Sequence, residues 1–154
     1  MAKGEGLIRS FEPVSNIKTE LLETFPYMMK DVKFQNSGDS QCEIIEDTTI
    51  KHLKEKIYYK TSELSAVCPY SGLPDIGILE VYYIPNKKVV ELKSFKYYLT
   101  SFRNVGIYQE HLTQRIYADL LNVLEPLELE IKTIYNTRGG IDTTCIISSK
   151  NQIN

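Results

Sequence analysis

The sequence predicts an α+β domain, an antiparallel sheet with two helices on one face, in the order strand, strand, helix, helix, strand, strand. Three observations predict it: strand-forming segments flanking "PNKK" (85–88), two successive segments of helical period between residues 91 and 126, and a closing pair of segments joined by "TRGG" (137–140). With 154 residues, 42% of them hydrophobic and 25% charged, the chain is sized for one domain with its own core. That domain is expected to span 1–154, with its core at about 61–149 and residues 1–60 as an N-terminal extension and insertion packed on it.

In "SNIKTELLETF" the apolar residues Ile17, Leu21, Leu22 and Phe25 have helical spacing, Ser15 or Asn16 can cap, and Pro26 stops the pattern. "QNSGDSQ" (35–41) reads as a loop, and "QCEIIED" and "EKIYYKTSELSAV" are rich in strand formers. "IGILEVYYI" and "KVVELKS" read as a hairpin turning on Pro85 and Asn86. In "ELKSFKYYLTSFRN" the residues Leu92, Phe95, Leu99 and Phe102 mark an apolar face, with Lys93, Lys96, Thr100 and Arg103 along a neighbouring one. Gly106 breaks this helix; the next runs through Leu112, Ile116, Leu120 and Leu124 to Pro126. "LELEIKTIYN" alternates over Leu127, Leu129 and Ile131, and "IDTTCIISS" returns as its partner beyond two glycines.

A net charge of -2 without a basic block argues against a surface made for nucleic-acid backbone, and no apolar run approaches the ~20 residues of a membrane span. The start "MAKGEGLIRSFEP" lacks the apolar core of a secretory signal, so a cytoplasmic protein is expected. Three cysteines, Cys42, Cys68 and Cys145, with no close pairing suit a reducing compartment. The two histidines, His52 and His111, stand at no zinc-site spacing, so no metal is expected.

Chemistry concentrates in "CPYSGLPD", where Pro69, Gly72 and Pro74 keep the chain irregular between Cys68 and Asp75. A lone cysteine before proline is commonly a small buried side chain, and an aspartate in a turn commonly a brace. Paired, they suit covalent chemistry: the thiol acts as thiolate, and a nearby carboxylate takes its proton and returns it to a substrate atom. The Lys93 and Lys96 stripe reads as a solvated face or as a phosphate contact, and Arg138 as a turn residue or a phosphate ligand beside glycines that let a ligand approach.

These stretches resemble the NADPH-dependent 7-cyano-7-deazaguanine reductases of queuosine biosynthesis, the nitrile reductases, in their short single-module form. The resemblance rests on Cys68, Gly72, Pro74 and Asp75; on Glu91, Lys93, Ser94, Phe95, Lys96, Tyr97 and Tyr98; and on "LETFP", "SFRN", Glu110 and "RGG". It implies the tunnelling fold, a Cys68 nucleophile that forms a thioimide with the nitrile, Asp75 as proton donor, and NADPH as hydride source. It further implies that Glu110 binds the guanine-like edge, that Val90, Glu91 and Leu92 lie along the ring, and that Lys93, Ser94, Lys96 and Arg138 hold the cofactor. No GxGxxG follows a strand, so a Rossmann-type cofactor site is not expected. Many members carry histidine where this chain has Gln109, whose amide can still hydrogen-bond a purine-like ring. The partners implied are a small 7-deazapurine and further copies of the chain, a homo-oligomer built as a decamer of two pentamers, with no direct nucleic-acid or membrane contact. A related amidinotransferase acting on the nitrile base in tRNA would not need the lysine face, a zinc cyclohydrolase of this fold lacks its ligands here, and a purine-binding ring would leave Cys68 inert.

Overall fold

The computed structural model describes residues 11–27, 32–34, 40–42 and 54–151. In chain order the elements are β1 (Thr24–Pro26), β2 (Val32–Phe34), β3 (Ser40–Cys42), β4 (Ile57–Val67), β5 (Pro74–Ile84), β6 (Lys88–Val90), α1 (Leu92–Thr100), α2 (Gln109–Leu124), β7 (Glu128–Tyr135) and β8 (Thr144–Ser148). The main sheet is antiparallel with strand order β4-β5-β7-β8, so the expected ββααββ order is realised with β4 and β5 as its first pair.

Period-2 burial makes the sheet two-faced. On β7 the buried residues are Leu129, Ile131, Thr133 and Tyr135, and on β5 they include Leu79, Val81 and Tyr83. Against this face α2 lays Leu112, Ile116, Leu120 and Leu124, its four-residue spacing holding one stripe on the core, while α1 contributes Phe95, Tyr98 and Leu99. Tyr58, Tyr82, Glu80 and Lys132 stand on the opposite face, with Tyr58 stacked on Tyr82 and Glu80 bonded by Tyr58 and Lys132. No helix among the described residues is long and apolar enough to cross a membrane.

Two expectations are corrected. The segment 15–25 is not an α-helix: it forms 3-10 turns at Val14–Asn16 and Thr19–Leu21 and then enters β1. Tertiary bonds override its spacing. Lys18 donates its N–H to Ser101 Oγ, Glu23 O accepts from Glu91 N–H, and Ile17 and Leu22 are buried while Leu21 and Phe25 face solvent. Nor do residues 76–84 and 88–94 form a hairpin, because β5 has both edges occupied, by β4 through Tyr83↔Ile57 and by β7 through Ile84↔Glu128. β6 therefore pairs with β1, Val90 opposite Thr24, and the chain from Glu91 turns directly into α1. The expected loop at 35–41 keeps Ser40 and Gln41 in β3, and its other residues, like 43–47 of "QCEIIED", lie outside the described residues.

A buried polar knot fixes the N-terminal segment to both helices. Asp119 Oδ2 accepts from Tyr98 OH at 2.6 Å, from Arg115 Nε at 2.9 Å and from Thr19 Oγ1 at 3.0 Å. Burial, and then the bond to Asp119, push the Tyr98 hydroxyl upward, so it stays a neutral donor. Asp119→Ala leaves that hydroxyl and Arg115 Nε without their acceptor and is expected to lower the unfolding free energy by about 3 kcal/mol. Denaturant titration checks this; an unchanged midpoint would show the knot to be dispensable.

Candidate active site

Four segments bring one cluster together. β4 ends at Val67, whose N–H donates to Val105 O at 2.9 Å and whose carbonyl accepts from Ile107 N–H at 3.0 Å, anchoring the strand end to the segment before α2. The loop then folds on itself: Cys68 N–H donates to Leu73 O at 2.9 Å and Gly72 N–H to Cys68 O at 2.8 Å, with Gly72 at φ 67, where a side chain is disfavoured. Ala66 thus pairs with Asp75, so seven residues of chain return the carboxylate to the end of the strand that delivers the thiol.

Asp75 is buried, 3% exposed, and both of its donors converge on Oδ1. One is Gln109 Nε2, from the first residue of α2, at 3.3 Å; the other is Arg138 Nη1, in a short ion pair. Oδ2 is left to carry or deliver a proton. Arg138 Nη2 donates to Ser71 Oγ at 3.2 Å, which ties the guanidinium to the loop that carries Cys68. Its position is set by a two-residue turn: Arg138 and Ile141 exchange N–H···O bonds of 3.0 Å, and Gly139 and Gly140 both take positive φ, 57 and 76, the combination a type I′ hairpin turn needs.

The electrostatics favour a reactive sulfur. Burial pushes the Cys68 thiol up, but hydrogen bonds from the Ser71 hydroxyl, the Ser71 and Tyr70 N–H groups and Arg138 together outweigh it and bring the thiol below its ordinary range. Ser71 Oγ accepts from Arg138 and from Leu73 N–H, at 3.3 Å, so its own hydrogen is free for the sulfur. The bond to Asp75, partly opposed by burial, holds the Arg138 guanidinium firmly protonated. Tyr135, pushed up chiefly by burial, donates from its hydroxyl to Gln109 O at 3.2 Å and fixes the start of α2 beside Asp75. Sequence reasoning missed Ser71 and Tyr135; Ser71 was detectable in principle, three residues after the thiol inside a closed turn.

The other expected site residues fall on β6, α1 and α2. Val90 is buried; Glu91 caps α1, its carboxylate accepting from Lys93 N–H at 2.9 Å and Ser94 N–H at 2.7 Å, which lowers its pKa. Ser94 is buried and its Oγ accepts from Glu23 N–H at 3.0 Å. Leu92, expected on the apolar face, is 56% exposed at the first position of α1. Glu110 lies exposed in the first turn of α2, next to Gln109. None of these except Gln109 is hydrogen-bonded to the Cys68 cluster among the described residues. Lys93 stands over the Tyr97 ring, and neither Lys93 nor Lys96 has an ion-pair partner among the described residues. Lys96 and Arg103 border a cavity of about 420 Å³ between α1 and β4, walled by the rings of Tyr59 and Phe95. Unpaired cations beside aromatic walls fit a phosphorylated cofactor with a flat ring. Among the described residues no cluster of three metal-ligating side chains occurs.

An antiparallel sheet that carries a thiol, a buried carboxylate and a fixed cation at one strand end is an arrangement that can support nucleophilic cysteine chemistry. Comparison with known proteins is more particular. The family model described as "QueF-like protein" matches residues 74–154. The NADPH-dependent 7-cyano-7-deazaguanine reductase of Thermotoga maritima is 45% identical over 97% of this chain and 93% of its own length, and that of Caldicellulosiruptor bescii is 45% identical over 84% and 83%. Among solved structures, an archaeosine synthase QueF-Like in the apo form superposes with a TM-score of 0.59 at 22% identity, covering 64% of this chain and 96% of the other, a likeness of fold. The chain belongs to the QueF family of 7-cyano-7-deazaguanine reductases.

Because both turn glycines sit at positive φ, Gly140→Val is expected to cost about 1–3 kcal/mol and to loosen the Arg138 contacts. Chemical denaturation measures the loss; wild-type stability would contradict the turn geometry.

Proposed function

We propose that this chain reduces the nitrile of 7-cyano-7-deazaguanine to the aminomethyl group, with NADPH, in queuosine biosynthesis. The observation that carries this reading is that Arg138 joins buried Asp75 to the Cys68 loop, through Ser71, in a chain whose relatives, 45% identical over 97% of it, bear that reductase name.

The thiolate of Cys68 adds to the nitrile carbon. As the carbon–sulfur bond forms, one carbon–nitrogen π bond breaks, its electron pair goes to nitrogen, and nitrogen takes a proton from Asp75, giving a thioimide. A bare nitrile is a poor hydride acceptor; a thioimide protonated on nitrogen is a good one. Bound NADPH would supply two hydrides, one per cofactor molecule, to that carbon, and the nitrogen takes its second proton from Asp75 after that acid has been reprotonated from solvent. Between the reductions the sulfur leaves as thiolate, a departure aided by the same hydrogen bonds that favour it at rest. Burial of Asp75 keeps bulk water from the proton it delivers.

Glu110 accepts hydrogen bonds from the guanine-like edge, Gln109 adds an amide, and Val90, Glu91 and Leu92 line the ring, the Glu91 carboxylate remaining in the helix cap. Lys93 and Lys96 hold the cofactor phosphates, Ser94 fixes the helix start that bears them, and Arg138 completes the cationic set. Among the described residues β4 and β8 are the edge strands of the main sheet, and these edges, together with exposed Ile76, Ile141 and Ile146, suit assembly into a ring of identical subunits, a decamer of two pentamers that joins Glu110 of one chain to Cys68 of the next. The reading is of one tunnelling-fold reductase domain over residues 1–154, working in the cytoplasm.

Mixing the protein with 7-cyano-7-deazaguanine and excess NADPH is expected to oxidise two equivalents of cofactor per nitrile, with none oxidised by Cys68→Ala. Asp75→Asn is expected to lose reduction, and wild-type rates in that variant would remove Asp75 from the mechanism. Lys93→Ala is expected to raise the KM for NADPH about tenfold, the loss of a contact worth ~1.4 kcal/mol, as steady-state kinetics would reveal.

A further inference from the structure

The segment between α1 and α2 is bonded along both of its edges. On one side Asn104 O accepts from Glu12 N–H at 2.7 Å and Gly106 N–H donates to Glu12 O at 2.9 Å. On the other, Val105 O accepts from Val67 N–H at 2.9 Å and Ile107 N–H donates to Val67 O at 3.0 Å. Glu12 thus pairs in parallel with Val105, and Val67 in parallel with Gly106, with the N-terminal segment outermost. Val67 immediately precedes Cys68, and Ile107 stands two residues before Gln109, whose amide holds Asp75 at 3.3 Å. Residues 104–107 therefore set the thiol loop and the start of α2 together. Burial of Val105 and Ile107 decides which side of the segment faces the core, but apolar packing is not directional. The backbone bonds decide how far along its axis the segment lies.

Gly106 is where the N-terminal segment closes on this ladder. A Cβ at Gly106 would overlap Phe11 Cδ2 and stand 2.5 Å from Cε2 and 2.8 Å from Cγ, so the ring lies directly on the glycine backbone. Because Cγ itself is inside contact distance, turning the ring about its own axis makes no room. Gly106 is not among the glycines of positive φ, so space rather than backbone conformation requires a glycine here.

We propose that Phe11 and Gly106 are positioning residues for the nitrile reaction: the ring seated on the glycine holds Glu12 against residues 104–107 and, through them, fixes the Cys68 loop relative to Gln109 and Glu110. This deepens the reductase reading and rests on it. The two residues act through Val67 and through the start of α2. Phe11 is 40% exposed and packs from outside, so taking the ring away loosens the site while leaving the core of sheet and helices in place. The segment is next fixed at buried Ile17 and by Lys18 N–H on Ser101 Oγ at 2.9 Å, which lets Phe11 and Glu12 lift without detaching the rest.

The test follows the addition of 7-cyano-7-deazaguanine to Cys68 in the full chain without cofactor, by peptide mass spectrometry against time, alongside kcat and the KM for NADPH. In Gly106→Ala the new methyl displaces the ring, and addition is expected to slow about tenfold, with kcat falling and the KM for NADPH within about twofold of wild type. Phe11→Ala, which keeps the backbone bonds of Glu12, is expected to slow addition about threefold. In the double variant Phe11→Ala/Gly106→Ala the clash is gone, and the rate is expected to return to that of Phe11→Ala alone. The final yield of adduct stays stoichiometric throughout, because a misaligned site reacts slowly but completely.

The proposal is overturned if Gly106→Ala adds the nitrile at the wild-type rate, or if the double variant stays as slow as Gly106→Ala. It is equally overturned if the yield falls at an unchanged rate, which would assign the contact to folding alone. Should Gly106→Ala not fold, Phe11→Ala decides, and a wild-type rate there overturns the proposal. A wild-type chain that forms no adduct is a failure of the reductase reading and removes this assignment with it, whereas a reactive wild type beside unaffected variants removes this assignment alone.

Discussion

The buried ion pair between Asp75 and Arg138 is the constraint on which the arrangement of this site depends. A carboxylate 3% exposed requires a fixed positive partner, and the partner arrives from a turn 63 residues further along the chain. That requirement ties the start of β5 to the β7–β8 hairpin, and Gln109 adds the start of α2 to the same oxygen. With the loop after β4 closed by its own backbone bonds, the segment that carries the thiol is held to the guanidinium through Ser71. The sheet supplies rigidity and the loops at its end supply the chemistry, a division common in enzymes.

Sign matters in how this cluster responds to pH. The Cys68 thiol is lowered in the folded protein despite burial, so a thiolate is available at lower pH than a free cysteine would allow. Glu91 is likewise lowered, by the N–H groups of Ser94 and Lys93 at the start of α1. Its cap contributes above the ordinary carboxylate range and is lost as pH falls through the lowered value, so acidification weakens the helix that bears the lysine stripe.

Local signals were legible in the sequence where the chain decides its own conformation. The period of α2, the alternation of β7, the turn glycines and the irregular Cys68–Asp75 loop all follow from residues adjacent to one another. What failed did so for tertiary reasons. The helical spacing of residues 15–25 gave way to bonds with Ser101, Glu91 and the Asp119 knot, and the β5–β6 hairpin gave way because β5 already had two neighbours. The grip of Arg138 on Asp75 and Ser71 spans more than 60 residues and has no local signature, although its hairpin turn was plain. The closed loop between Cys68 and Asp75 was legible because its turn residues are neighbours in the chain.

In the proposed mechanism Cys68 is the atom that captures the nitrile, and intact-protein and peptide mass spectrometry after incubation with 7-cyano-7-deazaguanine alone tests this most directly. The expected result is a stoichiometric mass gain equal to the whole nitrile compound, located on the peptide containing Cys68 and absent from Cys68→Ala. An unmodified Cys68 under saturating compound, or a gain located on Cys145, would contradict it.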